Sequence, residues 1–101
     1  MYGKSSAEIL KEVRKHIENG TYILREHAIE RQKERNIKLP DVLYVLNFGR
    51  HEKDKDSFDV KHQNWKHSIR GKTVNGLDLR VIVAFYQKLA IITVMRVGGK
   101  K

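Results

Sequence analysis

The chain has 101 residues, with 21 Lys and Arg against 12 Asp and Glu, a net charge of +9, and no cysteine. That length suits one domain around one modest core, and the missing thiols exclude disulfides, thiolate zinc sites and cysteine nucleophiles. The charge excess predicts long-range attraction to polyanions: nucleic acid, an acidic protein or an anionic membrane surface.

Taken in chain order, the signals begin with a helix over 5–19. Ser5 and Glu8 have capping-box spacing, Ile9, Leu10, Val13 and Ile17 recur at helical intervals, and Asn19-Gly20 supplies a stop. A second helix is predicted over 23–35, with a thin apolar stripe around Leu24 and Ala28. Pro40 and Asp41 suit the first turn of a third, 40–48, whose Val42, Leu43, Val45, Leu46 and Phe48 make it the most apolar. "RHEKDKDSFDVKHQN" has no period and reads as a loop or ragged edge.

From Trp65 the period changes to two. Strands are predicted over Trp65–Val74, Leu77–Tyr86 and Leu89–Val97, joined by Asn75-Gly76, a type I′ signal, and by Gln87-Lys88. Residues 98–101 and the opening "MYGK" are expected to fray. The predicted fold class is α+β, one domain of three N-terminal helices followed by a C-terminal antiparallel meander over 65–97, with the helices on one sheet face. The most apolar stretch, Leu77–Val97, carries Arg80, Gln87 and Lys88, which fits a hairpin and not a membrane span. No secretory leader opens the chain, and a small fold without staples fits the cytoplasm.

Two-residue loops in both hairpins would set Val74 opposite Leu77 and Tyr86 opposite Leu89. Leu79, Val81, Val83, Phe85, Ala90, Ile92 and Val94 then form the core face, with Arg96 beside Leu79 and with Arg70 and Lys72 on the neighbouring strand. Trp65, His67, Ile69, Arg80, Ile82, Thr93 and Met95 fall on the other face. A bulge in the Trp65 strand would exchange its faces.

Three constellations could carry chemistry. The first is "EHAIERQKER", where Leu24, His27, Ala28, Arg31 and Arg35 share one helix face. Packed on the apolar sheet face, His27 and Arg31 could approach Arg96, Arg70 and Lys72. One imidazole would then sit among four cations, a costly cluster unless an anion such as a phosphodiester fills it. The ordinary alternative is a histidine that merely packs and an arginine that pairs with Glu34. The second is the loop set His51, Glu52, Asp54, Asp56, Asp59 and His62, which has hard-metal ligand types. It lacks the glycine and glutamate of a calcium loop and reads as a solvated mixed-charge segment, so no metal is expected. The third is "NWKHSIRGK", where Trp65, Lys66, His67, Arg70 and Lys72 interleave an aromatic with bases. It suits either an RNA strand or a soluble edge strand.

No Walker loop, Rossmann fingerprint, nucleophile elbow or H-E-x-x-H occurs. Any catalysis must use few groups and no cofactor. RNA cleavage meets that condition, because the 2′-hydroxyl is an internal nucleophile that needs only a base, an acid and cations.

"REHAIERQKERNIKLPDVLYVLNFG" resembles the H-A-x-x-R-x-x-x-R helix and following helix of a widespread family of small bacterial domains placed near the RelE/ParE-type toxins. The layout from about Ile9 to Val97 is similar to the MqsR-like branch. "ILKEVRKHIENG" resembles its opening helix, "NW" its Trp-containing strand start and "NGLDLRVIVAFYQKLAIITVMRV" its closing hairpin. The resemblance implies a RelE-like toxin fold and a metal-free ribonuclease held inactive by a cognate, acidic antitoxin. Lys66 stands where the MqsR-like pattern has Gln, and Asp78 stands near the place of a tyrosine. A basic residue late in the last strand is kept as Arg96.

These residues support a metal-independent endoribonuclease with RNA as substrate. His27 would be general base, Arg31, Arg70 and Arg96 would hold the phosphate, Lys66 or Lys72 would assist the leaving group, and Trp65 would stack a base. The alternative is a non-catalytic module holding RNA, DNA or an acidic partner with the same basic end.

Overall fold

The computed structural model describes residues 4–98. The expected fraying at 1–3 and 99–101 lies outside the described residues. The fold is α+β, with three helices on a six-stranded, mostly antiparallel sheet.

Helix α1 spans Ser6–Asn19. Both arms of the expected capping box form: the Glu8 amide donates to Ser5 Oγ at 3.2 Å and Glu8 Oε1 accepts from the Ser5 amide at 2.8 Å. Gly20, at φ 72°, ends the helix in the left-handed conformation.

The next three residues depart from expectation. Tyr22–Leu24 is strand β1, and helix α2 spans only Glu26–Arg35. The aromatic and β-branched side chains fit a pleated surface, and the Leu24–Ala28 spacing that suggested a helix crosses its true boundary. β1 runs parallel to the last strand. Thr21 O accepts from the Leu89 amide at 3.0 Å, and Ile91 O accepts from the Arg25 amide at 2.9 Å. The chain therefore does not place all its helices before all its strands.

Helix α3 covers Leu39–Phe48, with Pro40 in its first turn. Asp41 accepts from the Lys38 amide at 3.0 Å. Gly49 ends it at a close backbone approach to Arg70. A Cβ added there would lie 2.5 Å from Arg70 O and 2.6 Å from Val45 O, so only glycine fits.

The segment read as a loop is partly ordered in pairs. Strands β2 (Arg50–His51) and β3 (Ser57–Asp59) flank a 3₁₀ turn at Lys53–Lys55, and both pair with β4 (Asn64–Lys72). β5 spans Asp78–Phe85 and β6 Leu89–Arg96. The sheet order is β1-β6-β5-β4-β2, with β3 paired to β4.

Both hairpin loops hold three residues. Thr73 exchanges backbone bonds with Leu77 and Gly76, and Gly76 alone in that turn has positive φ, 87°. This is a turn closed by a left-handed glycine, not the expected type I′ turn, which requires positive φ at Asn75 too. The extra residue moves the register by one: Arg70 pairs with Arg80, Gly71 with Leu79 and Lys72 with Asp78. The faces of β4 exchange, as a one-residue slip demands. Ile69 is fully buried beside Val81, while Arg70 and Lys72 lie on the opposite face, away from the place expected for them. In β6 a bulge leaves Ile92 unpaired, so Ile91 and Leu89 enter the core in place of Ile92. The same bulge restores the expected pairing of Arg96 with Leu79.

The core joins Ile9 and Val13 of α1, Ala28 of α2, and Val42, Val45 and Leu46 of α3 to Ile69, Leu79, Val81, Val83, Leu89, Ile91 and Val94 of the sheet. No helix among the described residues is long and apolar enough to cross a membrane.

Candidate functional site

The first expected constellation finds its ionic neighbours on its own helix. His27 is 76% exposed, 3.6 Å from Glu30 on its own helix, and Arg31 donates to Glu34 at 2.9 Å. Neither bonds to Arg96, which is exposed at the end of β6. Both residues have acidic neighbours one turn on, and Arg31 makes a hydrogen bond to its own.

Arg70 is drawn into a different structure on the far sheet face. It forks onto Asp78 at 3.0 and 2.8 Å and reaches Glu52 at 3.5 Å. Glu52 also accepts from Arg80 at 2.7 and 3.2 Å and from the buried Ser68 hydroxyl at 2.8 Å. The Arg80 contact, followed by those from Ser68 and Arg70, holds the Glu52 carboxyl down at about 2 against the opposing effect of burial. Asp78 is likewise held below its ordinary value by Arg70. On this face Arg70 and Arg80 are both matched to carboxylates. Lys66 lies on it beside Ser57, and Lys72 opposite Asp78.

The other face gathers a second set of polar groups. β4 alternation puts Trp65 and His67 on the side of the helices. β2 carries His51 to the same place, and the turn after the 3₁₀ segment brings in Asp56. Asp56 Oδ2 accepts from His51 Nε2 at 2.8 Å and from His67 Nδ1 at 2.7 Å, while Oδ1 accepts from the Ser68 amide at 3.0 Å. His51, Asp56 and His67 are 1%, 10% and 14% exposed.

The hydrogen-bond logic fixes the tautomers. Neutral His51 donates through Nε2 and so accepts at Nδ1 from Ser6 Oγ at 2.7 Å. Neutral His67 donates through Nδ1, which leaves the lone pair on Nε2. That nitrogen has no partner among the described residues and is not sealed from solvent. His67 lines a recess of about 510 Å³ together with Lys4, Ile9, His51, Lys53, Asp56, Asn64, Trp65 and Phe85. Phe85 stands 5.7 Å from the His67 ring, and Lys4 Nζ lies 5.3 Å from the Phe85 ring centre. Trp65 is half-exposed at the rim, with Phe58 set edge-on against it at 5.5 Å. Asn64 ties the floor to the β5 end, donating to Phe85 O at 2.6 Å.

Of the residues given catalytic or substrate-binding roles from sequence, Trp65 alone lines this recess. His51 and Asp56 belonged to the segment read as solvated, and that reading holds only for its exposed members. Asp54 is exposed, and Asp59 pairs with His62 at 2.8 Å. His67 was on the right strand and assigned to the wrong face.

A family model described as "Domain of unknown function (DUF4258)" matches residues 24–96, and the chain belongs to that family. No curated protein and no solved structure matches the chain.

Proposed function

We propose that this DUF4258 member is a small metal-independent endoribonuclease of the RelE/ParE-type toxin superfamily, near its MqsR-like branch, acting in the cytoplasm under the restraint of an acidic antitoxin. The observation that carries the reading is the open Nε2 of His67, backed by a buried carboxylate and flanked by an aromatic and two lysines.

His67 Nε2 takes the proton of the RNA 2′-hydroxyl, and Asp56 holds the ring and stabilises the imidazolium that results. The 2′-oxygen attacks the adjacent phosphorus. The ammonium groups of Lys4 and Lys53 offset the charge that builds on the phosphorane oxygens. The bond to the 5′-oxygen breaks, that oxygen takes up a proton from water or a recess ammonium, and a 2′,3′-cyclic phosphate remains. Trp65 offers a face on which a neighbouring base stacks. Asp56 accepts from three N–H groups, which fixes the His67 ring for proton transfer. The +9 charge draws the polyanion in.

The test is purified protein on RNA with chelator present. The reading predicts chelator-resistant cleavage, cyclic-phosphate ends, and growth arrest when the chain is expressed alone. Intact RNA held in a salt-sensitive complex would instead make the protein a binding module. No affinity at low salt would leave the charge as a solubility device.

A further inference from the structure

We infer that His51, Asp56 and His67 form a capture site for a divalent transition metal of the zinc type, and that capture switches off the imidazole that the proposed function uses. The regulatory half rests on that function, whereas the binding half stands on the geometry alone.

His51 Nε2, Asp56 Oδ2 and His67 Nδ1 all lie within 4.8 Å of one another. Ligands about 2.0–2.1 Å from a tetrahedral zinc sit about 3.3 Å apart. The two nitrogens are 2.8 and 2.7 Å from the shared oxygen, so each of these two edges opens by about half an ångström on binding, while the nitrogens stay within the 4.8 Å span. Two imidazoles and one carboxylate are the donor set that borderline divalent metals favour over calcium or magnesium. The recess leaves the fourth position to water.

The surroundings suit the metal-bound form as well as the free one. The proton that His51 Nε2 gives to Asp56 moves to Nδ1, where Ser6 Oγ lies at 2.7 Å and turns from donor to acceptor. Asp56 Oδ1 keeps the Ser68 amide at 3.0 Å. His51 and Asp56 thus have the outer partners that orient metal ligands, while His67 turns its other nitrogen to the recess. On His67 the proton moves from Nδ1 to Nε2. The nitrogen that faces the recess becomes an N–H and loses the lone pair that would accept the 2′-hydroxyl proton. Each ring keeps one proton throughout, so charge and atoms balance.

Zinc binding is measured by competition with a chromophoric chelator, without RNA, on the wild-type chain and on His51→Ala, Ser6→Ala and His62→Ala. One equivalent should bind with a Kd of roughly 1 μM or tighter. Ser6→Ala should weaken it about tenfold, His51→Ala should weaken it about 100-fold or more, and His62→Ala should leave it unchanged. If His51→Ala does not fold, Co²⁺ on the wild-type chain decides, because the intense visible absorption of a four-coordinate ion is expected. No binding, a pale six-coordinate spectrum, or equal affinity in His51→Ala and wild type would overturn the site. In the cleavage assay, zinc should suppress activity and chelator should restore it. Full cleavage by zinc-loaded protein would overturn the switch. Tight zinc binding by a protein that never cleaves RNA would instead uphold the site and refute the ribonuclease reading.

Discussion

The Glu52 network offers a quantitative test of the far sheet face. Its carboxylate is 10% exposed and meets Arg80, Arg70 and Ser68 together. A pKa displaced from 4.5 to about 2 corresponds to about 3 kcal/mol, at about 1.4 kcal/mol per unit. Because the folded value is depressed, this stability is fully present above about pH 4.5 and is lost as pH falls towards 2. Glu52→Gln removes the charge while keeping the shape. The gap between wild type and variant should be about 3 kcal/mol at pH 7 and about 1 kcal/mol near pH 3. A domain of this size has about 5–15 kcal/mol in hand, so the variant stays folded. Urea unfolding of both proteins at a series of pH values measures the gap directly. A gap that stays constant from pH 7 to 3, or one below about 0.5 kcal/mol at pH 7, would refute the reasoning and make the network a surface ornament.

Three further outcomes follow from particular contacts. Gly49→Ala places a methyl 2.5–2.6 Å from two carbonyl oxygens, so it should cost about 2–4 kcal/mol in denaturant unfolding, or prevent folding. Asp56→Asn leaves one acceptor where two were used, so it strands either the two imidazole N–H groups or the Ser68 amide and should cost about 2–4 kcal/mol, lowering Tm by about 10–25 °C in a thermal scan. Among molecules that remain folded, the same change should slow RNA cleavage by about 10²–10⁴-fold.

Much of the architecture was legible because it is written in local chemistry. The Ser5–Glu8 box, Gly20, Pro40 and Gly49 mark helix ends through their own backbone needs, and alternation marks β5 and β6. What escaped was set by pairing across distance. β1 is only Tyr22–Leu24 and exists because β6 offers it a parallel neighbour. One added residue in the Val74-Asn75-Gly76 turn exchanged the faces of β4, sending Arg70 and Lys72 to the carboxylates and His67 to the recess. The same limit hid the site. His51 and Asp56 looked like solvated loop residues until β2 and the 3₁₀ turn folded them against His67. A signal was present in the order Gly49-Arg50-His51, since a glycine that packs on the Arg70 carbonyl carries the next residues onto the edge of β4. Helical spacing puts His27 and Arg31 on one face, and their acidic neighbours Glu30 and Glu34 lie one turn away on the same helix.

The central claim is that His67, and not His27, is the base. Single-turnover cleavage of RNA in chelator by wild type, His67→Ala and His27→Ala tests it most directly, with circular dichroism to establish that each is folded. The account predicts that His67→Ala loses about 10²-fold or more in rate while His27→Ala cleaves like wild type. Wild-type cleavage by folded His67→Ala, or loss of cleavage in His27→Ala alone, would contradict it.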